Sequence, residues 1–198
     1  MMLRPRHLSL VLLIFSLSGC NLLGLNLTPL AVVPESAQAT TTKGQVSCPQ
    51  PAADEKLYGG LRTGFFFLYP AGFYVYPSKA IILRTLPTGS GSDAASGTMT
   101  ITYEDLAGRT LQAYADSIIA QNTGSGSPYQ SPFTLDSGYP AILLVGFDGP
   151  PPWRAILLEH GGLAFLISFQ PWDDSQPAAK ADLERLYMSV INSWLFTY

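Results

Sequence analysis

The rhythm of apolar and polar residues changes repeatedly along this chain. Leu8 to Phe15 is a short apolar run, preceded by Arg4, Arg6 and His7 and followed by Leu17-Ser18-Gly19-Cys20. Residues 20–56 show no sustained period. From about Tyr58 onward the pattern becomes regular. Gly64 to Tyr69 and Phe73 to Tyr76 are aromatic, β-favouring runs around Pro70-Ala71-Gly72, which predicts two strands and a turn. Ala80 to Leu86 predicts another strand, and Gly89 to Asp93 a loop. Gly97 to Tyr103 alternates, with Met99, Ile101 and Tyr103 on one face and Thr98, Thr100 and Thr102 on the other.

Period two then gives way to period 3.6. Thr110 is placed to cap a helix whose apolar face carries Leu111, Tyr114, Ala115, Ile118 and Ile119. Asn122 to Pro128 reads as its terminating turn. Strands are expected at Tyr139 to Phe147, Trp153 to His160 and Leu163 to Phe169, with a short one near Phe133 to Asp136. Gly161-Gly162 is a two-residue hairpin signal. Asp173, Asp174 or Ser175 is expected to cap a last helix, with Leu183, Leu186, Tyr187, Val190, Ile191 and Trp194 on its buried stripe. Together these elements predict an α+β domain, a largely antiparallel sheet with helices packed on it.

The N-terminal pattern carries an address. A basic start, a short apolar run and small residues at the cut describe a secretory signal. Leu17-Ser18-Gly19-Cys20 resembles the lipobox of bacterial lipoproteins. That resemblance implies cleavage before Cys20, diacylglyceryl attachment to its thiol and acylation of the new N-terminus. The expected organisation is a signal peptide over 1–19, a lipidated tether over 20–56 and a domain over 57–198. The expected location is the bacterial cell membrane or envelope, with the domain outside the cytoplasm. Two or more acyl chains anchor far better than one. A spanning helix needs roughly 18 apolar residues, and Ser18, Gly19 and Asn21 end this run too early. Ala37-Gln38-Ala39 offers a second small-x-small cut, but it requires an apolar region continuing through Asn21, Gly24, Asn26 and Pro29.

Composition narrows the partners. Pro34 to Glu55 is rich in Ala, Thr, Ser, Gln and Pro, a composition that favours a flexible spacer. The tether as a whole, about 36 residues over 20–56, reaches about 30–36 Å. The whole chain carries a net charge of −3. Cleavage before Cys20 removes Arg4 and Arg6 and takes it to about −5, which argues against nucleic acid and against strong electrostatic docking of the whole chain on anionic lipid beyond the anchor. With Cys20 acylated, Cys48 has no partner left, so neither a disulfide framework nor a cysteine metal site is expected.

The domain itself resembles the PsbP/Mog1-like family. The resemblance is carried by Phe65-Phe66-Phe67-Leu68-Tyr69-Pro70-Ala71-Gly72-Phe73, by Gly138-Tyr139-Pro140-Ala141 and by the closing Ser189-Val190-Ile191-Asn192-Ser193-Trp194-Leu195-Phe196. It covers residues 57–198 and implies an α/β/α sandwich that works by binding or complex assembly. It brings no catalytic signature and no functional residue.

Candidate chemistry is sparse. His160 follows Glu159 and adjoins the Gly161-Gly162 turn. One histidine with scattered carboxylates makes a poor metal site or acid–base pair. As a turn-flanking residue, its replacement by alanine is expected to change stability by no more than about 0.5 kcal/mol. Asp173-Asp174 and Glu104-Asp105 read as caps or solvated groups. Pro150-Pro151-Pro152-Trp153 is a stiff loop or a short polyproline segment. Trp153 and Trp172 are the candidate partner-binding residues. No cofactor, metal or catalytic residue is expected. The reading is a lipid-anchored, non-catalytic binding or assembly domain with an envelope protein partner. The alternatives are an envelope hydrolase or metal-dependent enzyme built on Glu159 and His160, and a carrier of a small apolar ligand.

Overall fold

The computed structural model describes residues 48–60, 64–76, 81–85, 96–122 and 126–197. The expected signal peptide, Cys20 and the expected tether up to Ser47 lie outside them. Cys48 to Tyr198 form one compact unit. Its strands are β1 (Glu55–Gly60), β2 (Phe65–Pro70), β3 (Phe73–Tyr76), β4 (Ile81–Thr85) and β5 (Thr98–Asp105). Helix α1 (Leu111–Gln121) follows, then β6 (Gly126–Thr134), β7 (Pro140–Phe147), β8 (Trp153–His160) and β9 (Leu163–Gln170). Helix α2 (Pro177–Ser193) and the short β10 (Leu195–Phe196) close the chain.

The strands form a seven-stranded sheet in the order β3-β4-β5-β9-β8-β7-β6 and a three-stranded sheet in the order β1-β2-β10. Every pairing in both is antiparallel. Because successive strand residues point to opposite faces, the large sheet buries two separate sets of side chains. On one face Ile142, Leu144, Ala155 and Leu157 pack with Tyr114, Ala115 and Ile118 of α1. On the other, Ile101, Ile156, Ile167 and Phe169 pack with Leu183, Leu186 and Val190 of α2 and with Phe65 and Phe67 of β2. The result is the expected α+β architecture, an α/β/α sandwich in which the small sheet shares a layer with α2.

The anticipated stripes form these two cores. Met99 and Ile101 are buried on the α2 side. Trp194, at the end of the α2 stripe, is fully buried and stacks on Phe65 at 4.5 Å and Phe67 at 5.4 Å between ring centroids. Thr110 caps α1 as expected, accepting a hydrogen bond from the Ala113 amide at 3.1 Å. The hairpin at Gly161-Gly162 holds both glycines at positive φ, 59° and 80°, a region open to glycine at little steric cost.

Four expectations change. Gly126 to Thr134 forms an edge strand where a turn and only a short strand were anticipated. Pro128 and Pro132 are compatible with it because an edge strand leaves half its amides without ladder partners. Helix α2 starts at Pro177 with Gln176 as cap and no side-chain cap bond. Asp173 instead closes the preceding turn, accepting from the Ser175 amide at 2.6 Å. Residues Glu55 to Gly60 pair with β2 as β1, although their short run lacks clear alternation. Lastly, Cys48 is disulfide-bonded, contrary to the expected unpaired thiol; its partner lies outside the described residues. Among the described residues no helix is long and apolar enough to cross a membrane.

Candidate functional site

Strand geometry separates Glu159 from His160. Glu159 lies opposite Ala164 and His160 opposite Leu163, so the two neighbours project to opposite faces of β8. Glu159 is exposed. The His160 ring lies nearly parallel on Phe196, 4.2 Å between centroids and 7° between planes, and meets Tyr139 edge-on at 6.4 Å. Its surroundings are therefore aromatic, and its strand neighbour brings no carboxylate to it. Among the described residues no group of three or more His, Cys, Asp or Glu side chains is placed to hold a metal ion.

The two candidate tryptophans do not share a surface. Trp153 stacks on Phe147 at 3.8 Å and packs on the α1 side. Trp172 packs on the α2 side, edge-on to Phe169 and Tyr187 at 6.1 and 5.8 Å. The Arg154 guanidinium lies 4.6 Å from the Trp172 ring centroid and 5.0 Å from that of Tyr187. Burial pushes the Tyr187 phenol above its usual value, and Arg154 offsets part of that rise. Both tryptophans are half-buried members of packed clusters. Pro152 is also engaged in the fold, its carbonyl accepting from the Trp172 amide at 2.8 Å.

A different feature is shaped to receive something. Helix α2 runs beside the β1–β2 hairpin and leaves a groove of about 690 Å³ between them. Leu68 and Pro70 of β2 and Ala181 and Met188 of α2 give it apolar walls. Met188 is 49% exposed. Asp54, Glu55 and Glu184 put three carboxylates along the rim. Among the described lining residues the one cationic side chain, Arg185, is already ion-paired with Asp182. Ser189 reaches Glu55 at 3.5 Å across the groove.

The groove exists because α2 takes the place of a strand. β10 pairs with β2 only at Phe65 and Phe66. Beyond that point the helix lies alongside, and Ser193 occupies the amide of Leu68. Sequence reasoning passed over these residues because Asp54 and Glu55 fell in the apparent tether and Met188 on the polar side of a helical stripe. The available signal was Met188 itself, a large apolar residue out of phase with that stripe.

No protein-family model and no curated protein matches the chain. Among solved structures it is similar to the Ran-binding protein Mog1p of Saccharomyces cerevisiae, at 12% identity and a TM-score of 0.46, covering 73% of this chain and 96% of that one. It is also similar to the cyanobacterial PsbP, CyanoP, of Synechocystis sp. PCC 6803, at 14% identity and a TM-score of 0.47, covering 76% and 98% respectively. The α+β assignment above stands on strand register and helix packing themselves.

Proposed function

We propose that this chain is a lipid-anchored binding protein of the bacterial envelope, and that its domain receives a cationic, apolar-bearing segment of a partner protein in the groove between α2 and the β1–β2 hairpin. The observation that carries the reading is the pairing of apolar walls with an acidic rim. Asp54 and Glu55, with Glu184 shared with Lys180, beside one engaged arginine favour a lysine- or arginine-bearing partner and raise its encounter rate. Met188 adapts readily to an irregular apolar side chain. A catalytic reading lacks support from Glu159 and His160, which point apart. The carboxylates at the rim of the groove favour a cationic partner over a small, purely apolar ligand.

The anchor rests on the lipobox at Leu17-Ser18-Gly19-Cys20. The chain contains two cysteines, so acylation of Cys20 and a bond between Cys20 and Cys48 exclude one another. Mass spectrometry of the native protein should find acyl chains on Cys20, and Cys20→Ala should release the protein from the detergent phase. A native Cys20 without acyl chains, or an unchanged partition of Cys20→Ala, would overturn the anchor.

The groove is tested separately with a photo-crosslinking side chain at Met188 and another at the exposed Tyr129. An adduct specific to position 188, lost in Glu184→Lys and weakened by salt, is expected. Equal adducts at both positions would overturn the groove as the binding site.

A further inference from the structure

We infer that the domain carries a second contact surface, a patch of Tyr74 and Tyr76 on β3, Arg84 on β4 and Lys56 on β1 that rests on an anionic lipid surface. Its β3–β4 part lies on the face of the large sheet opposite the α2 side, and Lys56 is the neighbour of Glu55 at the groove rim. Helix α1 packs against β6, β7 and β8. Farther along the same face of the large sheet, the side chains of β3 and β4 are open. The register fixes this: Ala155, in the α1 core, lies opposite Ser168, and Ser168 opposite Thr100. Two residues along β5, Thr98 lies opposite Arg84, and Arg84 opposite Tyr74. Tyr76 is two residues beyond Tyr74 and so shares its face. Tyr74 and Tyr76 are 46% and 41% exposed.

Two of the three described cations without an ion pair lie here; the third, Arg154, is held over Trp172 and Tyr187. Arg109, Lys180 and Arg185 are ion-paired. Lys56 and Arg84 have no ion pair among the described residues. Each is held over a tyrosine instead, Lys56 at 5.5 Å from the Tyr74 centroid and Arg84 at 5.7 Å from that of Tyr76. The Arg84 Nε–H donates to Thr98 Oγ1 at 3.1 Å, which orients the guanidinium over the face. Of the nearby carboxylates, Asp54 and Glu55 line the groove, and Glu104 is engaged by Arg109 at the far end of β5.

This chemistry matches a lipid headgroup plane. Tyrosine rings are amphipathic and favour the membrane interface. Lysine and arginine beside them are attracted to anionic headgroups. Among the described residues the patch brings together two cations and two tyrosines, which suits an array of phosphates. On a chain whose net charge is negative, such a patch also sets orientation, because other faces are repelled. β3 is the outermost strand of its sheet, so the patch meets a plane edge-first. The inference does not rest on the lipid anchor or on the groove.

The test is residue-resolved labelling of the full chain with a water-soluble amine reagent, in phosphatidylcholine vesicles and in equimolar phosphatidylglycerol–phosphatidylcholine vesicles. Lys180 serves as the internal reference. Flotation with pure phosphatidylcholine reports the anchor; a phosphatidylglycerol-dependent fall in Lys56 labelling reports the patch. Arg84→Gln should raise the anionic-lipid concentration needed for that protection about fivefold, the effect of one cation near an anionic surface. Arg84→Glu with Tyr76→Ser should abolish it, and Glu184→Lys should leave it in place. Lys56 labelling that is indifferent to phosphatidylglycerol overturns the inference, whether or not the protein floats. Protection in native membranes but not in protein-free anionic vesicles would assign the patch to a protein and overturn it equally.

Discussion

The Ser193 hydroxyl accepts a hydrogen bond from the Leu68 amide at 2.7 Å, joining the end of α2 to the middle of β2. It donates its own proton to the Ser189 carbonyl at 2.5 Å. One buried hydroxyl thus completes a strand where β10 has stopped and closes the inner end of the groove. Ser193→Ala leaves the amide without a partner, which costs about 1–3 kcal/mol. Urea denaturation should show a lower midpoint with an unchanged slope. A loss below about 0.5 kcal/mol would mean that water replaces the hydroxyl.

Gly97 sets how closely α2 approaches the large sheet. Its amide donates to Thr85 Oγ1 at 3.0 Å. A Cβ there would stand 2.9 Å from Leu183 Cγ and 3.1 Å from the Ala179 carbonyl oxygen. Leu183 is fully buried, so Gly97→Ala must shift the helix or its leucine, at about 1–3 kcal/mol. The cost should shrink on the background of Leu183→Val, because the two changes share one space. Strict additivity of the pair would show that the backbone of β5, and not the contact, is what glycine serves.

The legible parts of this fold were those fixed by local pattern. Strict alternation at Thr98 to Tyr103, the cap at Thr110, the glycine pair at 161–162 and the α2 stripe each carry their own structural signal. β1 was illegible because Glu55 to Gly60 draws its strand character from pairing with β2. β6 was obscured by two prolines that only an edge position tolerates. The groove could not be read at all, since Asp54, Pro70 and Met188 are far apart in sequence and each is unremarkable alone. Tyr74, Tyr76 and Arg84 were similarly hidden. Their common face depends on a register that the turns leave unspecified. His160 and Glu159 were legible only as neighbours, and strand geometry then separated them.

Asp173 predicts a pH signature. Its carboxylate is held below the ordinary 3.8 chiefly by the Ser175 hydroxyl, against some desolvation, with help from the Ser175 and Gln176 amides. A depressed carboxylate binds fewer protons in the folded than in the unfolded chain, so its contribution to stability is present above the ordinary value. It fades as pH falls through the lower, folded value. Stability curves of the wild type and Asp173→Asn should therefore differ at neutral pH and converge in acid. A gap that persists unchanged into strong acid would show that the carboxylate's charge is irrelevant and its shape sufficient.

His160 supplies the last prediction and corrects the surface-like value expected from its position beside a turn. Its ring is stacked on Phe196, which is buried, and Tyr139 meets both rings edge-on. Aromatic pairs of this kind contribute about 0.5–1.5 kcal/mol beyond area burial, so His160→Ala should exceed the 0.5 kcal/mol of an ordinary surface change. His160→Phe separates stacking from acid–base chemistry, since phenylalanine keeps a flat ring and has no titrating nitrogen. If the ring is structural, the phenylalanine variant should recover most of the stability and all crosslinking at position 188, while the alanine variant loses stability alone. A cellular phenotype lost equally in the alanine and phenylalanine variants, with the phenylalanine variant as stable as wild type, would instead assign the imidazole a chemical role.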